Sequence, residues 1–293
     1  MICIGSPPIT QPSSIPDGKM NLKLANTFPT PARMAAAHCA FSRVDLLALV
    51  FAVSLLVAWE IVTHVGAIGR QVRCAANLSA LGKAMHEYAN DHDDGLPAAS
   101  INWGSKQSSW DLKLLPYLMP GLAKANSGAM FAQASRWIVC PSDISGIATP
   151  GRIPRSYAMP FHDMAANHWP PNPDIATGVG LDWNNWNAAA LVGSEATPDK
   201  LPVVKLTIMP DPAYTGLLTE LIDPINHMGS FQCASVWNPL QQQGFFNANK
   251  NYDYCHRGAF NYLMVDGHVE RLSALQTGSL VSGAGIWSIR KGD

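Results

Sequence analysis

The chain has 293 residues, a formal net charge of −1 and only 14% charged residues. That length can bury a full core, and the near-neutral balance lacks the basic footprint that phosphate backbones require, so nucleic acid is excluded as a partner. With 23 Gly, 22 Pro and nine Trp, the composition points to a loop-rich domain rather than an all-helical one.

Residues 1–40 are rich in Pro, Ser, Thr and Ala, show no apolar period and contain Lys19, Lys23 and Arg33, so they read as an unfolded leader. Met20 and Met34 are alternative starts to Met1. A nearly unbroken apolar run follows. From Leu46 to Ile68 it gives about 23 residues, enough for one membrane crossing at about 1.5 Å per residue. The cations Lys19, Lys23, Arg33 and Arg43 precede it, so the positive-inside rule puts the N-terminus in the cytoplasm and everything after Arg70 outside. Glu60 and His64 interrupt its second half. They stand one helical turn apart and can pair on one face, or the hydrophobic segment ends near Trp59.

Beyond the run, Leu78, Leu81, Met85 and Tyr88 recur at steps of three and four, which continues the same helix as an amphipathic rod to about His92. From Phe41 such a helix is roughly 50 residues, or about 75 Å, long. Gly66, Gly69 and Gly82 are places where it can bend. Asp94-Gly95-Leu96-Pro97 stops it, with Gly95 suited to a left-handed cap. Further on, Trp110 to Leu118 reads as a short helix, and Lys205 to Met209 and Tyr214 to Leu221 as strands. Phe260–Val265 and His268–Leu272 flank Asp266-Gly267, which reads as a two-residue hairpin loop. The fold class is α+β, with residues 1–40 as leader, 41–94 as the N-terminal helix and 95–293 as the outer domain.

Several residue groups bear on chemistry. His256, Asp266 and His268, with Cys255 beside them, are zinc-ligand types gathered at the hairpin; the plainer account is that the turn explains Asp266-Gly267 and that His256 bonds to the turn. The run Asn90-Asp91-His92-Asp93-Asp94-Gly95 suggests calcium, but an EF-hand needs a ligand where Gly95 stands, so at most a weak calcium site is expected and no other cofactor or metal. No nucleophile elbow, metalloprotease helix, phosphate loop or dinucleotide fingerprint is present, and no catalytic role is expected. The cluster Asp182-Trp183-Asn184-Asn185-Trp186, with Trp103, Trp169 and Trp237, is either aromatic surface for a glycan or partner, or core. Of six cysteines, Cys74, Cys140, Cys233 and Cys255 follow residue 40. They are free buried thiols or, in an exported domain, two disulfides.

The segment Ala40-Phe41-Ser42-Arg43-Val44-Asp45-Leu46-Leu47 resembles the class III signal of type IV prepilins and type II secretion pseudopilins, in which cleavage precedes the apolar helix and the anchor is kept. Ala40 stands where that pattern has Gly, and Asp45 where it has Glu. Far downstream, His256, nine residues and then Asp266-Gly267 resemble the H-X9-DG domain of prepilin-like proteins. Cys74-Ala75-Ala76-Asn77-Leu78, Tyr88-Ala89-Asn90-Asp91, Gly95-Leu96-Pro97, Cys140-Pro141-Ser142-Asp143 and Ser156-Tyr157-Ala158-Met159 are further words of that kind, in order.

The resemblance implies a pilin-like architecture, a long N-terminal helix laid on an antiparallel sheet. It implies cleavage between Ala40 and Phe41 by a prepilin peptidase, an assembly role for Asp45 against a neighbouring subunit's α-amino group, and disulfides Cys74–Cys140 and Cys233–Cys255. The expected function is that of a filament subunit, not an enzyme. Its partners are copies of itself or other pilin-like subunits, and its place is the inner membrane with the outer domain periplasmic or at the cell surface. The alternative is a membrane-anchored domain that binds a glycan or protein and does not polymerise.

Overall fold

The computed structural model describes residues 43–121, 127–143, 151–164, 177–237, 256, 258–278 and 285–290. Ala40, Phe41, Trp169 and Cys255 lie outside the described residues, as does the leader. The chain divides into two units, residues 1–54 and 55–293.

Helix α1 (Arg43–Asp91) is one continuous element of 49 residues. It contains no proline, and Gly66, Gly69 and Gly82 pass through it without ending it. Asp45 lies in its first turn, where a carboxylate suits the positive end of the helix dipole. The burial of α1 changes sharply along its length. Large apolar side chains from Val44 to Val72 are exposed, Trp59 at 68%. From Cys74 onward, Asn77, Leu78, Leu81, Met85 and Ala89 form a buried stripe with the three-four spacing of a helix face.

Two sheets take up most of the described strands. β1 (Ser100–Trp103) pairs antiparallel with β2 (Lys106–Ser109) and parallel with β4 (Asp182–Asn184). The larger sheet joins β3 (Tyr157–Pro160), β5 (Gly216–Glu220), β6 (Ser235–Val236), β7 (Phe260–Met264) and β8 (Val269–Leu272) in the order β6-β3-β5-β7-β8. All of its pairings are antiparallel except β3 with β6. Helices α2 (Trp110–Leu118), α3 (Ser127–Ile138) and α4 (Asn185–Leu191) lie between the strands in sequence.

Every residue of β3, β5 and β7 is buried, because both faces of the larger sheet are covered. Tyr157, Met159 and Leu263 join the core that contains Leu78, Leu81 and Met85 of α1. Their neighbours Ala158, Phe260, Tyr262 and Met264 join a second core with Trp287. Successive strand residues point to opposite faces, so each core takes alternate positions. Tyr262 meets Trp287 edge to face, with ring centroids 6.0 Å apart. Gly82 sets the approach of α1 to β7: a Cβ there would lie 2.9 Å from Leu263 Cδ1, too close for any side chain to be added without repacking.

Three local expectations are corrected. Gly95 does not supply the left-handed cap of α1; Asp93 and Asp94 adopt positive φ, at 56° and 61°. The residue at 95 must be small for a different reason, since a Cβ would sit 2.6 Å from Val203 Cγ2. Lys205 to Met209 is not a strand but an isolated bridge from Lys205 to Gly95 followed by a 3₁₀ turn, Leu206–Ile208. Its backbone bonds the loop after α1 instead, with Leu96 N–H on Val204 O at 2.9 Å and Leu206 N–H on Asp94 O at 2.8 Å. Pro202 and Pro210 on either side deny it a longer ladder. The terminal hairpin turns through three residues, Val265-Asp266-Gly267, rather than two. Gly267 N–H bonds Met264 O and Met264 N–H bonds His268 O, both at 2.9 Å, and Gly267 holds φ at 93°. This is a type I turn closed by a left-handed glycine.

Away from α1, two buried polar groups tie loops to sheets. Arg155 is fully buried: it donates through Nε to Asn226 Oδ1 at 2.7 Å, through Nη2 to Gln232 O at 2.9 Å, and pairs with Asp111 Oδ1 at 3.2 Å. Asp111 also accepts from Ser109 Oγ and from Gly229 N–H. Asp182 on β4 accepts from Ser100 Oγ at 2.6 Å within its own sheet and from Ser235 Oγ on β6 of the other. Burial pushes the Asp182 carboxyl up to about 6, against the lowering effect of the two serine hydroxyls.

Arg155→Ala should lower the unfolding free energy by about 3–5 kcal/mol, read from denaturant melts, because Asp111 is left charged and buried without its cation. A folded-state pKa above the unfolded carboxylate's ordinary ~3.9 means that the Asp182 contribution is present in acid and lost as pH rises through about 6. The thermal midpoint should therefore carry a component that falls over that interval, and Asp182→Asn should remove it.

Candidate functional site

Four metal-ligating side chains from distant parts of the chain meet inside the unit formed by residues 55–293. Cys74 comes from the first buried turn of α1, Cys140 from just beyond the end of α3, Glu220 from the end of β5, and His256 from the residues before β7. Their Sγ, carboxylate and imidazole atoms all lie within 4.8 Å of one another, and all four residues are buried.

Glu220 is the hub. Its Oε1 accepts from the Cys74 thiol at 2.8 Å and stands 2.8 Å from His256 Nε2, while Oε2 accepts the Asn261 N–H at 2.7 Å. Tyr157, directly opposite Glu220 in the β3–β5 ladder, brings its hydroxyl to 3.2 Å from Cys74 Sγ. Cys140 Sγ is 3.5 Å from His256 Nε2 and accepts the Ser142 N–H at 3.4 Å. An outer layer holds the segment at Cys140 in place. Cys140 N–H donates to Ser156 Oγ at 2.9 Å, Ser156 Oγ donates to Asp143 Oδ2 at 2.6 Å, and Asn77 Nδ2 donates to Val139 O at 3.1 Å. His256 sits at φ 42°, a left-handed conformation uncommon for a residue with a side chain, and Arg271 Nη2 donates to its carbonyl.

Electrostatics follow from burial. Desolvation drives the Cys74 thiol far above its ordinary value, and the neighbouring Cys140 and the Glu220 charge push the same way. Burial, with the surrounding Cys74, Cys140 and Glu220, likewise holds the Tyr157 hydroxyl well above the usual phenol range. Burial alone would lower His256, but its hydrogen bonds to Cys74 and Glu220 and the Glu220 charge outweigh it and raise the imidazole to about 9. Such thiols are poor nucleophiles, because the thiolate is the reactive form.

The expected site residues are distributed differently from their reading in the sequence. Cys74 and Cys140 do meet, but with no disulfide between them: Cys74 Sγ engages Glu220 and Tyr157 and Cys140 Sγ lies against His256, which corrects the expected Cys74–Cys140 disulfide. Cys233 is half-buried, and its expected partner Cys255 lies outside the described residues. His256 does not join the hairpin turn. Asp266 and His268 instead pair with each other there, Oδ1 to Nδ1 at 2.6 Å, both part-exposed. In the acidic run at the end of α1, Asp91 accepts the Tyr117 hydroxyl at 3.0 Å and Asp93 pairs with Lys205 at 2.6 Å. The tryptophans divide, with Trp183 in the core, Trp186 81% exposed, and Trp237 stacked on Phe161.

Glu220 was not singled out by sequence reasoning. Its one signal is a lone acidic residue among Leu217, Leu218 and Leu221, where a carboxylate must find a partner to be buried.

Under native conditions an alkylating reagent should leave Cys74 and Cys140 unmodified and should label both once the chain is unfolded. Mass spectrometry of the two digests checks this, and rapid native labelling of either would show that the cluster is not sealed as described. No family model, no curated protein and no solved structure matches the chain.

Proposed function

We propose that the chain is a prepilin-like structural subunit: anchored in the inner membrane by α1, trimmed before Phe41 by a prepilin peptidase, and assembled helix to helix into a pilus-like or pseudopilus-like filament. One observation carries this reading. Sixteen large apolar side chains of α1, from Val44 to Val72, are exposed, and the same helix then runs without a break into the core of the outer domain. At about 1.5–3 kcal/mol each, leaving them in water would cost roughly 25–50 kcal/mol, more than a domain's whole stability of about 5–15 kcal/mol. They require lipid or other helices. Among the described residues, α1 is the one helix long and apolar enough to cross a membrane.

Further support comes from charge and from order. The cations before the apolar stretch favour a cytoplasmic N-terminus and an outer domain on the far side. Asp45 opens α1 at the edge of that stretch, where a carboxylate facing lipid is costly and gains from a cation. A new α-amino group at Phe41 of a neighbouring subunit is such a cation. The ordered words around Cys74, Cys140 and Tyr157 and the residue His256 all contribute to one buried cluster, as expected of a unit built to hold a helix against a sheet.

N-terminal sequencing of native protein should read from Phe41, and sheared surface material should contain the subunit in fibres by electron microscopy with mass spectrometry. Asp45→Ala should leave membrane insertion intact and abolish incorporation. A leader-bearing, solitary anchored monomer would refute the filament and leave a tethered binding domain.

A further inference from the structure

We propose that Cys74, Cys140, Glu220 and His256 together bind one zinc-class divalent cation, which fastens α1 to the larger sheet. The donor set is the first reason. Two thiolates, an imidazole nitrogen and a carboxylate are ordinary zinc ligands, while sulfur ligands disfavour magnesium and calcium.

Geometry is the second reason. With Zn–S near 2.3 Å and Zn–N near 2.0–2.1 Å, sulfur and nitrogen at two corners of a tetrahedron lie about 3.5 Å apart. Cys140 Sγ and His256 Nε2 are separated by 3.5 Å, and no two of the four ligand atoms are more than 4.8 Å apart. Glu220 Oε1 is nearer, at 2.8 Å from both Cys74 Sγ and His256 Nε2, which are hydrogen-bond distances that an ion would lengthen by a fraction of an ångström.

The surroundings are the third reason. The Ser142 N–H points at Cys140 Sγ, and the Tyr157 hydroxyl lies beside Cys74 Sγ; both are donors of the kind that spread the charge of a metal-bound thiolate. Glu220 is held from behind by the Asn261 N–H. His256 reaches the cluster only by adopting positive φ, a strain that the ligand bond would repay.

All four ligands come from the protein and all are buried, so the site is closed and structural rather than catalytic. Coordination needs both thiols to give up their protons to solvent, which ties affinity to pH. The inference does not rest on the filament reading, because every ligand lies within residues 55–293 and all four are buried.

The test uses full-length protein extracted in detergent under reducing conditions. Elemental analysis should find about one zinc per chain. Cys140→Ser and His256→Ala should lose it, while Cys233→Ser keeps it. Exchange with Co2+ should give the visible bands of a tetrahedral ion and near-ultraviolet thiolate charge transfer, and Tyr157→Phe should retain the ion with affinity weakened by about 10-fold or more. If the ligand variants fail to fold, the Co2+ spectrum of the unmodified chain decides on its own. A reduced chain that takes up neither Zn2+ nor Co2+, a native peptide pair disulfide-linked through Cys74 and Cys140, or ligand variants that keep the metal would each overturn the assignment.

Discussion

The fold depends on one seam, the buried stripe of α1 from Cys74 to Ala89 lying against β3, β5 and β7. Without it, the larger sheet would have one face in water, and that face carries the large side chains of Tyr157, Leu218 and Leu263. Gly82 lets the helix approach until its backbone meets Leu263. Every CH₂ removed from water along the seam contributes on the order of 0.8 kcal/mol, so a close approach is worth more than a tolerant one. The covering of both faces also explains why every residue of β3, β5 and β7 is buried, although their pairings with one another are antiparallel.

The seam is not purely apolar. At its start, Cys74 is fastened by polar contacts to Glu220 on β5 and Tyr157 on β3, one and two strands away from the Gly82–Leu263 contact on β7. A buried carboxylate surrounded by two thiols, a phenol and an imidazole is costly to assemble and pins one register of helix on sheet, since a slip of one residue would carry the Cys74 thiol out of reach. Arg155 and Asp182 act in the same way elsewhere, each holding segments that the apolar cores alone would leave free to shift.

How much of this could be read from residues alone depended on range. The three-four recurrence of Leu78, Leu81 and Met85 and the apolar run before it are local signals, and α1 at Arg43–Asp91 and α2 at Trp110–Leu118 lie where the pattern puts them. The terminal hairpin was legible too, though its loop was one residue longer than its Asp-Gly suggested. The cluster was not legible, because it is made by contacts across 83, 116 and 146 residues. The nine-residue spacing of His256 and Asp266 misled for a simple reason: β7 lies between them, and five strand residues at about 3.3 Å each carry the two ends roughly 17 Å apart. Glu220 hid within an apolar strand, and the two cysteines that meet do so without the bond their pairing suggested.

The order of the chain also governs how it can be made. Cys74 leaves the ribosome 189 residues ahead of Leu263, which at about 5–20 residues per second is a delay of roughly 10–40 s. During the first part of that interval the stripe residues have emerged and none of their covering strands has; β3 and β5 follow within it, and β7 comes only at its end. A temporary escort must shield Leu78, Leu81 and Met85, or nascent neighbours will stick to one another there, and the last hairpin to emerge closes the molecule.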